Sequence, residues 1–289
     1  MIRFLSYIWS AIRYHFLRYR WCTRKSIIVI IFTNLLVLVG CASEPPAVIE
    51  RSQDEIYNKA ITALRAGQYK QAAKEFQDFE RQHPYSPWVR RSYIMAAYSH
   101  YLDEDYDSAI ETSRNFIKLF PSNRDAPYAQ YLIAISYYEQ ITDVGRDQSN
   151  TERAVNALNT VVKRYPSTDY ARDAALKLDL ARDHLAGKEM EIGRFYLNKD
   201  QPAAAINRFR YVLENYGTTN HVPEALYRLT EAHLTLGINR EAQTAAAILG
   251  HNFVGNKWYE RSYALLTGKN LKPVKDDRSW IAKIWDAIF

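Results

Sequence analysis

The chain has 289 residues, enough for one large domain or two ordinary ones, and its 47% hydrophobic and 24% charged residues make a globular composition rather than a disordered one. Its net charge of +6 would suit an anionic partner if it were spread evenly. However, Arg3, Arg13, Arg18, Arg20, Arg24 and Lys25 all fall within residues 1–40, which hold no acid, so the remainder carries 32 basic and 32 acidic residues. That balance excludes the cationic excess through which nucleic-acid-binding proteins release counterions, and no nucleic acid is expected as a partner.

The first element is the apolar run "SIIVIIFTNLLVLVG", Ser26 to Gly40, behind a basic aromatic stretch. As a helix its 15 residues reach roughly 22 Å, short of the roughly 30 Å hydrocarbon core of a bilayer. A basic flank, a short apolar run and a small residue at the end form the pattern of a secretory signal. Leu38, Val39, Gly40 and Cys41 resemble the lipobox of bacterial lipoproteins. The resemblance implies cleavage between Gly40 and Cys41 and attachment of lipid to Cys41. A thiol is needed there as the nucleophile that forms a stable thioether, and a glycine because the peptidase approaches closely. The covalent N-acyl and S-diacylglycerol groups on Cys41 are then the anchor, since each buried methylene contributes about 0.8 kcal/mol. Ala42 and Ser43, with no Asp after the Cys, resemble the outer-membrane sorting class. The 25-residue basic stretch is long for such a leader, as expected if translation starts downstream. The other cysteine, Cys22, leaves with the leader, so no disulfide, catalytic thiol or cysteine metal site is expected.

Residues 41–51 read as a lipid-anchored tether, with Pro45 and Pro46 and no periodicity. Residues 52–250 carry a repeat. "FERQHP", "FIKLFP" and "VVKRYP" close helices at Pro84, Pro121 and Pro166, and "VLENYG" puts Gly217 in the same place. Twelve residues before each terminator stands an alanine: Ala72, Ala109, Ala154 and Ala205, with Ala242 heading a fifth copy. Gly67, Glu104 and Asp200 mark the turn inside three of the pairs. The pattern resembles the tetratricopeptide (TPR) helix-turn-helix, in which small residues stand where paired helices cross and larger ones such as Phe76, Phe116 and Phe209 fill the gaps. The fold expected is all-α, a TPR-type solenoid of about five repeats. The period is stretched by an insertion, "DVGRDQSNTER", and by "STDYARDAALKLDLARDHLAG", which reads as an extra helix.

Reactive constellations are absent. His83, His100, His184, His221, His233 and His251 are scattered without an HExxH spacing, and there is no GxSxG, P-loop or GxGxxG, so catalysis and metal binding are not expected. His100 and His233 fall at matching repeat positions and read as packing residues, and "DEDYD" at 103–107 as a solvated turn. In a TPR superhelix the first helix of each repeat lines a groove. The register places Tyr57, Leu64 and Arg65 there from repeat one, and Arg91, Ile94, Tyr98 and Tyr101 from repeat two. Rings beside Arg suit a peptide: rings bury apolar side chains and a guanidinium holds a carboxylate in a bidentate pair. Packing between repeats is the alternative role for these tyrosines. Tyr227 and Glu231 give repeat five a different charge balance. Residues 251–289 form an extension ending in a helix that aligns Trp280, Ile281, Ile284, Trp285, Ile288 and Phe289 on one face, suited to capping the last repeat, binding a partner or lying in a membrane interface.

The lipobox, the tether and the segments "GQYKQAAKEFQDFERQHPYSPW", "VGRDQSNTERAVNAL", "YPSTDYARDAALKL" and "LAGKEMEIGRFYL" together resemble the BamD family of the machinery that inserts β-barrels into the bacterial outer membrane. The resemblance runs from about residue 52 to 250 and implies a lipid-anchored, non-enzymatic scaffold on the periplasmic face of the outer membrane. The scaffold would bridge the BamA POTRA domain and unfolded outer-membrane protein substrates, with other BAM lipoproteins as further possible partners. It implies a BamA contact at Arg208, which matches the family's "NR" in repeat four, and a substrate groove in the first repeats, where Arg91, Tyr98 and Tyr101 stand. A pilotin or an envelope and cell-division coordinator on the same repeats is the alternative scaffold. A peptidoglycan-cleaving enzyme is the alternative from another class, but no segment is left for its catalytic domain.

Overall fold

The computed structural model describes residues 51–288, and the leader, Gly40, Cys41, most of the tether and Phe289 lie outside the described residues. The described residues form twelve helices and no strand. Ten of them make five antiparallel pairs. These are α1 (Gln53–Arg65) with α2 (Tyr69–Gln82), α3 (Val89–Leu102) with α4 (Tyr106–Leu119), and α5 (Ala126–Glu139) with α6 (Ser149–Arg164). They continue as α7 (Asp169–Asn198) with α8 (Pro202–Asn215), and α9 (Val222–Thr235) with α10 (Asn239–Asn252). Each of these ten helices packs on the next along the chain, and α3 with α5 and α5 with α7 also touch as first helices of neighbouring repeats, which makes a TPR-type solenoid.

Local sequence explains the starts and stops. Ser52 caps α1 by accepting from the Glu55 N–H at 3.2 Å, half of a capping box. The turn inside a repeat needs a left-handed residue, supplied by Gly67 (φ 73°), Glu104 (φ 59°), Asp200 (φ 54°) and Gly237 (φ 72°). The second helices all close on a ring-bearing residue of similar backbone, with φ from −128° at Phe253 to −132° at Phe120; His83, Tyr165 and Tyr216 complete the set. Pro84, Pro121 and Pro166 follow three of them and prevent continuation.

The crossings are as tight as the sequence implies. Ala72, Ala109, Ala154, Ala205 and Ala242 are each 0% exposed, as are Phe76, Phe116 and Phe209. A Cβ on Gly193 would stand 2.3 Å from the Phe209 ring, so only glycine fits where α7 crosses α8.

Two elements differ from the sequence reading. "STDYARDAALKLDLARDHLAG" is not a separate helix: it runs without a break into the first helix of repeat four, making α7 30 residues long. Gly187 remains helical because its bare backbone accommodates the His221 ring, whose Nε2 lies 3.2 Å from where a Cβ would be. At the other end α11 (Lys257–Thr267) packs on α9 and α10 as a half-repeat, and α12 (Trp280–Ile288) turns back along α8 and α10. Ile281 (0% exposed) and Trp285 (8%) join the core of repeats four and five, with Trp280 and Ile284 packed against it. The apolar stripe is thus used inside the molecule, on the flank of the last two repeats, while α11 covers their end.

Candidate functional site: a ring-lined face of the first helices

Residues three, seven and ten apart share one face of a helix, so Arg91, Ile94, Tyr98 and Tyr101 line one side of α3. At the N-terminal end of that face is a cavity of about 640 Å³, lined by Trp88, Arg90, Arg91, Ile94 and Met95 from α3 and its cap and by Arg124 from the loop before α5. Arg91 is exposed and has no ion-pair partner among the described residues, so its guanidinium is available to a carboxylate.

Further along, the rings form a series across three repeats. Tyr98 meets Tyr128 at 6.5 Å between centroids, and Tyr170 stands 5.3 Å from Tyr128 and 5.4 Å from Tyr131. The Tyr131 hydroxyl donates to Asp173 at 2.5 Å, and Lys177 reaches the same carboxylate oxygen at 2.8 Å. Burial alone would raise Asp173, but the bonds from Lys177 and Tyr131 hold it below the usual carboxylate range. Burial pushes Tyr128 and Tyr131 well above the ordinary phenol value, the bond to Asp173 adding to the effect at Tyr131. Burial, followed by the nearby Glu139 carboxylate, pushes Tyr101 up to about 12, and its hydroxyl donates to Glu139 at 3.4 Å. Tyr101, Tyr128 and Tyr131 are therefore neutral at physiological pH.

The sequence-predicted residues do not all meet here. Tyr57 is a correction: at 7% exposure it is a core residue, its ring edge-on to Phe76 (5.8 Å), Phe79 (6.0 Å) and Trp88 (4.7 Å), because those three large rings surround that face of α1. Ile94, at 7%, contributes only its edge to the cavity. Leu64 packs against the first-repeat core, and Arg65 is exposed but does not line the cavity. Arg91, Tyr98 and Tyr101 remain together on the face. Tyr128, Tyr131, Tyr170 and Arg124 were missed; the signal was present as tyrosines at first-helix positions of the next two repeats.

Arg208 is distant in sequence from this face, on α8. Its Nη1 donates to Glu189 of α7 at 3.1 Å, its side chain is 41% exposed, and it shares a cavity of about 470 Å³ with Tyr196, Asn207 and Tyr211. In repeat five, Tyr227 stacks on Trp258 at 5.1 Å, and Glu231 accepts from Arg228 at 2.8 Å. His233 is buried, its Nδ1 2.7 Å from the Leu229 carbonyl of its own helix, while His100 lies 2.9 Å from Gln77. Among the described residues no group of three or more His, Cys, Asp or Glu stands close enough to hold a metal ion, and no helix is long and apolar enough to cross a membrane.

Paired helices that cross on alanine, with rings and cations on the face they present, make a helical-repeat scaffold. Residues 49–248 match the family YfiO, described as outer membrane lipoprotein, and the chain belongs to that family. It is 48% identical to a protein of Caulobacter vibrioides over 85% of this chain and 81% of that one, and 45% identical to a protein of Rickettsia prowazekii over 80% and 92%. Both carry the name outer membrane protein assembly factor BamD, as does a Xylella fastidiosa protein 27% identical over 80% of this chain and 83% of its own.

Proposed function

We propose that this chain is the non-enzymatic lipoprotein scaffold of the outer-membrane β-barrel assembly machinery, joining the barrel-forming BamA subunit to unfolded outer-membrane protein substrates. Membership of an outer membrane lipoprotein family supports the location, and the names of the relatives support the process. In this reading residues 1–40 are removed, Cys41 carries the lipid, residues 41–51 are the tether, and residues 52–250 work on the periplasmic face, with 251–289 as an extension. Arg208, half-exposed beside Glu189, meets a POTRA domain. The observation that carries the substrate reading is Arg91, free of any described ion pair, on the same face as the Tyr98–Tyr128–Tyr170 series. The C-terminal strand of a barrel protein ends in an aromatic residue with a free carboxylate; rings accept the side chain and the guanidinium the acid.

The test is Arg91→Glu combined with Tyr98→Ala, titrated by fluorescence anisotropy with peptides copied from such strands. Losing the ring contact costs about 0.5–1.5 kcal/mol beyond area burial, and reversing the charge adds repulsion, so affinity falls more than about tenfold at 1.4 kcal/mol per decade. The BamA contact survives, because Arg208 is untouched. Unchanged peptide affinity with circular dichroism intact would make these residues packing and nothing more.

A further inference from the structure

The repeat register sets two parts of the molecule side by side. Ala109 and Ala154 of repeats two and three correspond to Ala205 and Ala242 of repeats four and five, and Pro127 and Pro223 hold the same place at the start of α5 and α9. The groove between the second helices α8 and α10 is filled by α12. Arg210 lies over the Trp280 ring at 5.4 Å, His233 faces that ring at 6.1 Å, and Glu241 accepts a hydrogen bond from Ser279, whose oxygen in turn accepts from the Ile281 N–H. Below them Leu213, Ala245 and Ile248 are at most 2% exposed in one cluster with Ile281 and Trp285.

The corresponding groove between α4 and α6 is open, with a volume of about 550 Å³. Four positions of its lining match, Arg114 for Arg210, Tyr137 for His233, Ile117 for Leu213 and Ala157 for Ala245, while Thr160 stands for Ile248 and Gln130 for Leu226. Arg114 is already set in place, its Nη2 donating to the Tyr137 hydroxyl at 2.7 Å. Ile117 and Ala157, unlike their buried counterparts, remain half-exposed. Two positions reverse their charge: Lys118 stands for Glu214 and Arg153 for Glu241, the residue that receives the capping serine of α12. Lys118 and Arg153 are exposed without an ion-pair partner among the described residues, and no acidic side chain lines the groove.

From this correspondence we infer that the α4–α6 groove is a docking site for a short amphipathic helix of a partner protein, seated as α12 is seated on repeats four and five. Its apolar stripe would cover Ile117 and Ala157, over the already buried Ile133, by the helix-in-groove mode. The charge at Lys118 and Arg153 selects the occupant. A carboxylate takes the place that Ser279 has in α12, because a glutamate or aspartate at a helix N-terminus both suits the helix dipole and pairs with the guanidinium at Arg153.

The probe is a fluorescein-labelled peptide copying residues 276–288 with Ser279→Glu and Lys283→Glu, titrated against the full chain by fluorescence anisotropy. Saturable binding that weakens at least tenfold in the Lys118→Glu/Arg153→Glu variant is the expected result. Both substituted side chains are exposed, and circular dichroism checks that the variant folds. The peptide with Ser279 and Lys283 retained is expected to bind the wild type more weakly than the acidic one. Absence of saturable binding, or equal binding to wild type and variant as displacement of α12 from its own groove would give, overturns the inference. Self-association of the wild-type chain in sedimentation that is lost in Lys118→Glu/Arg153→Glu would also overturn it, because the occupant would then be a second copy.

Discussion

Arg208→Glu separates a role in binding from a role in folding, because the two costs differ in size. In the free chain Arg208 makes one ion pair, to Glu189 at 3.1 Å, with the two side chains 41% and 18% exposed. A pair so open to solvent contributes about 0.2–1 kcal/mol, and the new carboxylate can turn toward water, so the repulsion from Glu189 is of similar size. Folding therefore loses about 1–2 kcal/mol, a drop in Tm of only a few degrees for a domain of this length. At an interface the same reversal places like charges together where water is excluded, which costs several kcal/mol, or about 100-fold or more in affinity. The assay is binding of the isolated POTRA domain to immobilised wild-type and variant chains, with thermal melts by circular dichroism alongside. Unchanged affinity, or a loss of affinity matched by a loss of helicity, would refute the assignment of Arg208 to the contact.

Burial pushes Glu80, on α2 facing α3, up to about 8 from an ordinary 4.5, against a smaller opposing effect of the bond from Tyr93; its Oε1 is buried without a partner among the described residues. The carboxyl is thus protonated in the folded chain and ionised in the unfolded one over that interval, so stability falls as pH rises from about 5 to 8, by about 3–5 kcal/mol in all. Glu80→Gln is expected to abolish that decline and to melt higher than wild type at pH 8; parallel pH profiles for the two chains would contradict this. Cys41→Ala is expected to leave an uncleaved, unacylated precursor at the inner membrane, since the other cysteine, Cys22, lies before the apolar run and none follows it. Fractionation and immunoblotting check it, and a normally sized product in the outer membrane would exclude the lipobox.

The solenoid was legible because its determinants are local. An alanine at each crossing and a terminator twelve residues on are single-residue requirements of the repeat, and they recur in register. Tyr57 and Tyr98 were not separable by the same means. Both lie on first helices, and what distinguishes them is whether large rings from neighbouring elements close over that face; Trp88, Phe76 and Phe79 do so at Tyr57. The length of α7 was hidden by Gly187, which reads as a stop but is tolerated because His221 packs against its backbone. The destination of α12 was hidden too, since amphipathicity states that a face will be covered and not by what. Its seat on α8 and α10 depends on residues far away in sequence, such as Arg210 over the Trp280 ring and Gly217 beside Ile288.

The most direct test of the scaffold assignment is a crosslinking pull-down of the full-length lipoprotein from outer membranes, with the recovered proteins identified by mass spectrometry. Recovery of a barrel subunit bearing POTRA domains, reduced by Arg208→Glu, together with unfolded barrel precursors, reduced by Arg91→Glu/Tyr98→Ala, is the result this account predicts. Recovery instead of pilus, secretin or cell-division components, with no POTRA-bearing barrel among the products, would contradict it.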